Sequence, residues 1–459
     1  MVFIRRIKKK SGTYLAEVEN TRINGKVVQR VIRYIGKEVN GKAVRRVLTN
    51  KLNVEKVTRY LDVLAVDKIS EELNLKQVLG ENARFILVFV YSHLLEQLSV
   101  NKLGDWLEYT EIPRILEADD VTTKVLYKTL EEINDVRFDD VEIEVFEFLK
   151  KYENTKTGVI IDVTDTYFEG NTCNVKSRRG KDGKYRKLIQ IGLAVTENYG
   201  FPIFHKQYPG NISNIKIFKD MLVEMKSRRL SSIIMDRGMY SRSNIDSLLG
   251  IHTYVICGVK KTPFFINNFL KKVNREDLYT KQYRISLKNT YVYVTSYPWN
   301  SGKLLIVYNP SLEVVKREIY YEKGGYDNEK AKFLGYSLIF HTTKMNDQIV
   351  VKKYFDKDVV EKSFKQLKGI LGLRPIRVWL KSHVEGHIKI CYLSYAILSL
   401  LEYKVKKLEI SGSEALDKLK YGYMVHLKDS ESNFEWSTTV TLENIQEKIL
   451  DTLGVVYKN

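Results

Sequence analysis

Val159-Ile160-Ile161-Asp162 and Ile233-Ile234-Met235-Asp236 are one physical object written twice: an apolar run of three residues closed by a carboxylate. Short runs of this kind, rich in branched side chains and free of charge, read as strands buried on both faces. In open α/β sheets ligands gather at the carboxyl ends of the strands. Each Asp is therefore expected at the C-terminal end of its strand, and if the strands are neighbours both carboxylates point into one crevice. An unpaired buried charge is costly, so two carboxylates together imply a metal ion or a shared proton. A single strand-ending Asp is more commonly a turn residue or a helix N-cap, so the argument rests on the pair.

Working outward, Leu188–Thr196 and Phe201–Gln207 read as strands around an Asn198-Tyr199-Gly200 turn. A helix over about 213–228, a strand Ser231–Met235, a helix over about 241–249 and a strand Thr253–Val259 follow. Strands first consecutive and then alternating with helices predict a mixed α/β sheet. Residues 262–349 are strand-rich again, with Tyr291–Ser296, Lys303–Tyr308 and Phe333–His341, and helices dominate from 356 onward. Upstream, the helical period governs 52–155, as in Phe85–Leu95 and Val141–Lys151. Residues 3–48 read as a β-meander with hairpin turns at Asn24-Gly25 and Asn40-Gly41.

The third informative stretch follows residue 356. Val360, Phe364, Leu367 and Leu371 recur at helical spacing and predict an apolar stripe that docks on the sheet. Lys357, Glu361, Lys365 and Lys368 lie on the adjoining face, and Tyr354 continues that row backward. Taken alone, such a ladder is ordinarily a solvated salt-bridge face.

Composition narrows the function classes. The chain of 459 residues, 44% hydrophobic and 29% charged, is long enough for several domains and ordinary for a globular protein. Its formal charge is +19, and residues 1–50 hold 13 Lys+Arg against 3 Asp+Glu, so +10 of it lies in about a tenth of the chain. Such an excess steers polyanions, nucleic acid foremost. Cys173, Cys257 and Cys391 are far apart, which argues against a zinc knuckle or a disulfide framework and is compatible with a reducing cytoplasm. The N-terminus has no apolar core of a secretory signal, and Ile388–Leu401 is too short or interrupted to span a bilayer, so a soluble protein is expected. His383, Glu385 and His387 look like a ligand cluster but read as packing residues of a C-terminal helix. Gly324-Gly325 and Gly369-x2-Gly372 lack the strand-loop-helix context of a phosphate loop, and no G-x-S-x-G context supports Ser-His-Asp catalysis.

Taken jointly, these stretches carry a resemblance. Tyr354-x2-Lys357-x3-Glu361-x6-Lys368 resembles the Y-x2-R-x3-E-x6-K pattern of insertion-sequence transposases of the DDE type, with Lys357 in place of the Arg. Asp162-Val-Thr-Asp-Thr-Tyr-Phe-Glu is similar to the segment around that family's first Asp, and Met235-Asp236-Arg237-Gly238-Met239 to the segment around its second. Tyr14–Gly36, closing on Arg33-Tyr34-Ile35-Gly36-Lys37, is similar to its N-terminal region.

The resemblance implies a metal-dependent DNA transposase that cleaves transposon ends and joins them to target DNA, with Asp162, Asp236 and Glu361 as catalytic metal ligands. Two Mg²⁺ ions, with Mn²⁺ a workable substitute, suit a site of carboxylates without His or Cys. The implied fold is a ribonuclease-H-like core over 156–261 and 350–400, interrupted by a β-rich insertion at 262–349. Around it stand a basic DNA-contacting meander at 1–50, a helical end-binding region at 51–155 and a C-terminal region at 401–459 suited to dimerisation. Tyr354, Lys357, Lys368 and Arg237 are implied as DNA contacts, Arg237 equally as a group that orients Asp236. The implied partners are terminal inverted repeats, target DNA and a second copy of the chain in a synaptic complex; the implied place is the cytoplasm, at the nucleoid. Trp299 could stack on an extruded base, though a hairpin Trp is more often packed. The rivals are a nuclease or resolvase on the same core and a non-catalytic DNA-binding protein; three converging acids argue against the latter.

Overall fold

The computed structural model describes residues 2–23, 26–39, 42–44, 52–153, 158–168, 177–179, 184–228, 230, 232–288, 290–373, 376–430 and 434–457. The expected turns at Asn24-Gly25 and Asn40-Gly41, and Cys173, lie outside the described residues. The chain divides into two compact units, one of Met1–Thr58, Tyr423–Val440 and Lys458–Asn459, the other of Arg59–Gly422 and Thr441–Tyr457.

In the smaller unit, Val2–Lys9, Gly12–Ile23, Lys26–Val39 and Lys42–Val44 form a four-stranded antiparallel meander. Its charges are partly matched across strands, Arg6 with Glu38 at 2.6 Å and Arg33 with Glu17 at 2.6 Å. A separate three-stranded sheet joins Leu52–Arg59 to Tyr423–Asp429 and Glu435–Thr439. Neither part of that sheet follows from the helical period expected after 52 or the helices expected after 356.

The larger unit is built on one mixed sheet. Its labelled strands are β1 (Val159–Phe168), β2 (Tyr185–Thr196), β3 (Pro202–Pro209), β4 (Ser232–Met235), β5 (Tyr254–Val259), β6 (Arg284–Ser286), β7 (Tyr291–Trp299), β8 (Gly302–Tyr308) and β9 (Tyr336–His341). The order is β6-β7-β8-β9-β5-β4-β1-β2, with β3 and the short strand Ser177–Arg179 both pairing β2. β4 runs parallel to β1 and β5, and the remaining pairs are antiparallel. The strands of 262–349 build no sheet of their own. They extend this one, because β9 returns antiparallel against β5.

Helices that position the site are α1 (Ala83–Leu95), α2 (Phe138–Leu149), α3 (Asn214–Ser227), α4 (Arg242–Gly250), α5 (Pro310–Glu322), α6 (Asp347–Phe355), α7 (Asp358–Lys365) and α8 (Lys381–Val405). Strand alternation sorts the two faces of the sheet. Val159, Ile161, Val163, Ile233, Met235, Val255 and Cys257 pack with Ile217, Phe218 and Met221 of α3 and Ile245 and Leu248 of α4 in one apolar core. The opposite face of β5 and β1 meets α6 and α7. The helical region before the sheet is tied to β3 by Glu142 of α2, which accepts from the His205 backbone N–H at 2.8 Å and pairs with its ring at 2.7 Å.

Two expectations need correction. β1 continues through Phe168, so Asp162 is inside its strand and only Asp236 follows a strand end. α8 is long and apolar enough to cross a membrane, unlike the stretch read from sequence, but its apolar window is nearly all buried within the protein, as in the core helix of a globular domain.

Candidate active site

Parallel pairing sets Ile233 beside Val159, Ile234 beside Ile160 and Met235 beside Ile161. The next position in that register brings Asp236 alongside Asp162, on neighbouring strands about 4.8 Å apart. Both lie on the sheet face away from the core of α3 and α4, since Ile161 and Met235, one residue before, belong to that core. The two apolar runs read from sequence are thus neighbours, and their acids share one crevice.

The Asp162 carboxylate accepts from the Val163 backbone N–H at 2.8 Å. Asp236 accepts from the Lys357 ammonium and from the backbone N–H groups of Arg237 and Gly238. Burial pushes the Asp236 carboxyl up, but the Lys357 hydrogen bond and charge outweigh it and hold the group below its ordinary value. Burial likewise works against the Lys357 charge, while Tyr354, Asp236 and Asp162 restore it and leave the ammonium above its ordinary value. A single lysine therefore feels both aspartates.

Tyr354 reaches the site through an absent side chain. A Cβ on Gly258, the β5 residue following Cys257 (the partner of Met235), would lie 2.1 Å from the Tyr354 hydroxyl oxygen. Only glycine lets the phenol lie across β5 beside the acids. The Lys357 ammonium sits 4.9 Å from the Tyr354 ring centroid. Lys368 donates to the Thr164 hydroxyl, and Thr164 is two residues beyond Asp162 on the same face of β1. The helical segment therefore crosses the sheet in the order β5, β4, β1, touching it with Tyr354, Lys357 and Lys368 in turn.

The apolar stripe docks as expected, with Val360, Phe364, Leu367 and Leu371 all buried. The helix itself is not continuous. α6 ends at Phe355, Lys357 is the N-cap of α7, and Gln366–Ile370 widen into a π turn that carries Lys368. Such turns recur at functional sites, because the extra residue re-aims the face that follows. Glu361 lies in the first turn of α7 between Lys357 and Lys368 and is exposed. Among the described residues no ion pair joins it to Lys357 or Lys365. Lys357 of the expected ladder is committed to Asp236 instead.

Arg237 is exposed, and its backbone rather than its guanidinium braces Asp236. The guanidinium belongs to a cluster that the sequence did not suggest. Burial pushes Lys261, which follows β5, down to about 8, with the charges of Lys316 and Arg237 adding to the effect. Burial and then Arg237 push Lys316 of α5 down as well. Lys261 donates to the Phe333 carbonyl at 2.6 Å. These three cations act on one another, Arg237 being the one next to Asp236 in the chain, and no spacing rule links positions 237, 261 and 316.

The other tempting residues separate. Trp299 packs edge-on against Phe265 and Phe340, with ring centroids at 5.0 and 5.1 Å. His383 turns to Glu131 at 3.1 Å, Glu385 faces Lys381 at 3.7 Å, and His387 faces His93.

Residues 153–397, more than half of the chain, match the family model described as a transposase DDE domain. No curated protein sequence matches. Among solved structures, the chain is similar to the piggyBac transposase of a cryo-EM synaptic complex with hairpin DNA, at 12% identity over 79% of this chain and 77% of that one, with a TM-score of 0.45.

Proposed function

Because the chain belongs to the family of transposases with a DDE domain, we propose that Asp162, Asp236 and Glu361 are the three carboxylates at which it holds two Mg²⁺ ions. The chain is a DNA transposase, and its chemistry is phosphoryl transfer on DNA. The observation that carries the residue assignment is the register of β4 on β1, which sets two acids side by side with Lys357 bridging from the crossing helix.

The donor set fits such ions. It is all oxygen, without His or Cys, as hard divalent cations prefer. An ammonium bound to Asp236 and felt by Asp162 marks a spot where positive charge is stabilised in the free protein. Glu361, exposed in the first turn of α7, is the third acid of the set. Bound there, Mg²⁺ or Mn²⁺ would activate a water or 3′-hydroxyl and stabilise the leaving 3′ oxygen of an in-line displacement.

The chain's own residues do the rest. Lys357 offsets the Asp236 charge before DNA arrives, and once released its flexible stem reaches a phosphate oxygen. Tyr354 fixes the height of the Lys357 segment over β5. Lys368, anchored at Thr164 beside Asp162, offers a second cation to the same DNA strand. Arg237, Lys261 and Lys316 extend the positive surface away from the acids. The order β3-β2-β1-β4-β5, with β1, β4 and β5 parallel and β2 and β3 alternating, supports a ribonuclease-H-like reading of the core. Synapsis of two terminal repeats calls for two such sites, hence a homodimer acting on chromosomal DNA in the cytoplasm.

Asp162→Asn, Asp236→Asn and Glu361→Gln should each abolish Mg²⁺-dependent cleavage of an end-bearing duplex while end binding stays within a few fold, since a metal ligand acts chiefly on transition-state charge. Cleavage at the parent rate by any of the three would remove that residue from the site.

A further inference from the structure

α8 packs against α1, and their contact holds a cluster of a different chemistry from the carboxylates. His387 and Cys391 are four residues apart and so project from one face of α8. His93 faces them from α1. One ligand atom from each of the three lies within 4.8 Å of the other two.

Proton accounting sharpens the point. His93 Nδ1 lies 3.0 Å from the Phe89 carbonyl and His387 Nε2 lies 3.3 Å from the Gly372 carbonyl, so each outer nitrogen is placed to carry its proton as a donor. The inner nitrogens, His93 Nε2 and His387 Nδ1, then face each other at 3.3 Å as two lone pairs. Protonating one of them puts a charge on a ring set among apolar neighbours. Moving the His387 proton to Nδ1 instead leaves its Nε2 lone pair against a carbonyl oxygen, with only the weak Cys391 thiol nearby, 3.6 Å away and placed to donate to the Leu371 carbonyl at 3.3 Å. Among these residues by themselves, each placement of the protons leaves one contact unfavourable. A tetrahedral ion with nitrogen ligands at about 2.0–2.1 Å requires the nitrogens to be about 3.3–3.4 Å apart, which is the spacing found.

We propose that His93 Nε2, His387 Nδ1 and Cys391 Sγ form a binding site for a borderline-soft divalent cation, Zn²⁺ in the first instance. Two imidazoles and a thiolate suit Zn²⁺ and disfavour Mg²⁺, so the site is chemically distinct from the carboxylates. The Phe89 and Gly372 carbonyls act as the outer acceptors that fix each imidazole's orientation. A cavity of 590 Å³ lined in part by His93, His387, Gln97 and Asn101 opens onto the cluster and leaves the fourth position to water. The thiol gives up its proton to solvent as the ion binds. The ion would pin α1 to α8 and to the Leu371–Gly372 segment, directly behind the turn that carries Lys368.

Full-length protein stripped with a chelator, dialysed against Zn²⁺ and desalted should retain one zinc ion per chain. The Asp162→Asn and Asp236→Asn variants should retain it equally. Cys391→Ser and His387→Ala should weaken retention by at least about 100-fold, since even outer-sphere changes cost 10–100-fold. The same parent protein loaded with Co²⁺ should show a thiolate-to-cobalt charge-transfer band, so the proposal stays testable if the variants fold poorly. Parent protein that retains no zinc and shows no such band would overturn it, as would zinc that is lost with the aspartates and kept without Cys391.

Discussion

Gly258→Ala tests whether the aspartate site depends on one missing methyl group. The added Cβ would lie 2.1 Å from the Tyr354 hydroxyl oxygen, 3.0 Å from its Cζ and 3.2 Å from Arg237 Cβ. Ordinary contact begins near 3.4 Å, so the phenol must withdraw by about 1.3 Å (3.4 − 2.1). Tyr354 is 8% exposed and its ring is rigid, so it has little room to yield. Overpacking of this kind costs about 1–3 kcal/mol. Lys357 follows Tyr354 by three residues, and a misplacement of about 1 Å in a catalytic constellation can cost about 100-fold in rate. Urea unfolding gives the stability loss, and Mg²⁺-dependent cleavage of an end-bearing duplex gives the rate. Tyr354→Phe removes the atom at 2.1 Å and leaves only the milder 3.0 Å contact. In the Gly258→Ala background it should therefore recover most of the lost stability, a coupling of about 1 kcal/mol or more. A Gly258→Ala protein as stable and active as the parent, or a double variant no more stable than Gly258→Ala alone, would refute the reasoning.

Further outcomes follow from the cations. Lys357→Ala should weaken end binding by about 1.5–3 kcal/mol, the range for a charge-assisted hydrogen bond, while Lys357→Arg keeps it; equal binding by the Ala variant at two salt concentrations would limit Lys357 to Asp236. The same Ala change should raise the Asp236 carboxyl. A depressed carboxyl adds stability above its unfolded value and loses it as pH falls through the folded value, so the variant should lose less stability on acidification. Lys261, pushed down to about 8, is cationic below that pH and progressively neutral above it. End affinity at fixed ionic strength should therefore fall from pH 7 to 9 in the parent and stay flatter in Lys261→Arg; parallel profiles would exclude Lys261 from the DNA surface. Deleting residues 1–50 removes a meander that, among the described residues, forms a sheet of its own, and should flatten the slope of log K against log salt if that charge meets phosphate; an unchanged slope would reduce it to a solubilising surface.

What the sequence could reveal followed the range of the physics. Val159–Asp162 and Ile233–Asp236 announced themselves because burial on both faces forces an unbroken apolar run, and because the same run closes on a carboxylate twice. The helical stripe of Val360, Phe364, Leu367 and Leu371 was equally legible, since periodicity is a local property. The break at Asp356 and the π turn were not, because docking on three successive strands, rather than helix propensity, decides where the segment bends. The strand at 423–429 escaped for the same reason: one of its partners, Leu52–Arg59, lies more than 360 residues away. Gly258 carries no signal of its own, and its meaning exists only once Tyr354 lies across it. Lys357 makes the point most directly. Helical spacing offered Glu361 as its neighbour, whereas the fold supplies Asp236, 121 residues earlier. A residue whose local partner is an exposed glutamate yet whose actual partner is a crevice aspartate is held there by tertiary structure. In the proposed function that charge is exchanged for a metal ion and turned toward phosphate.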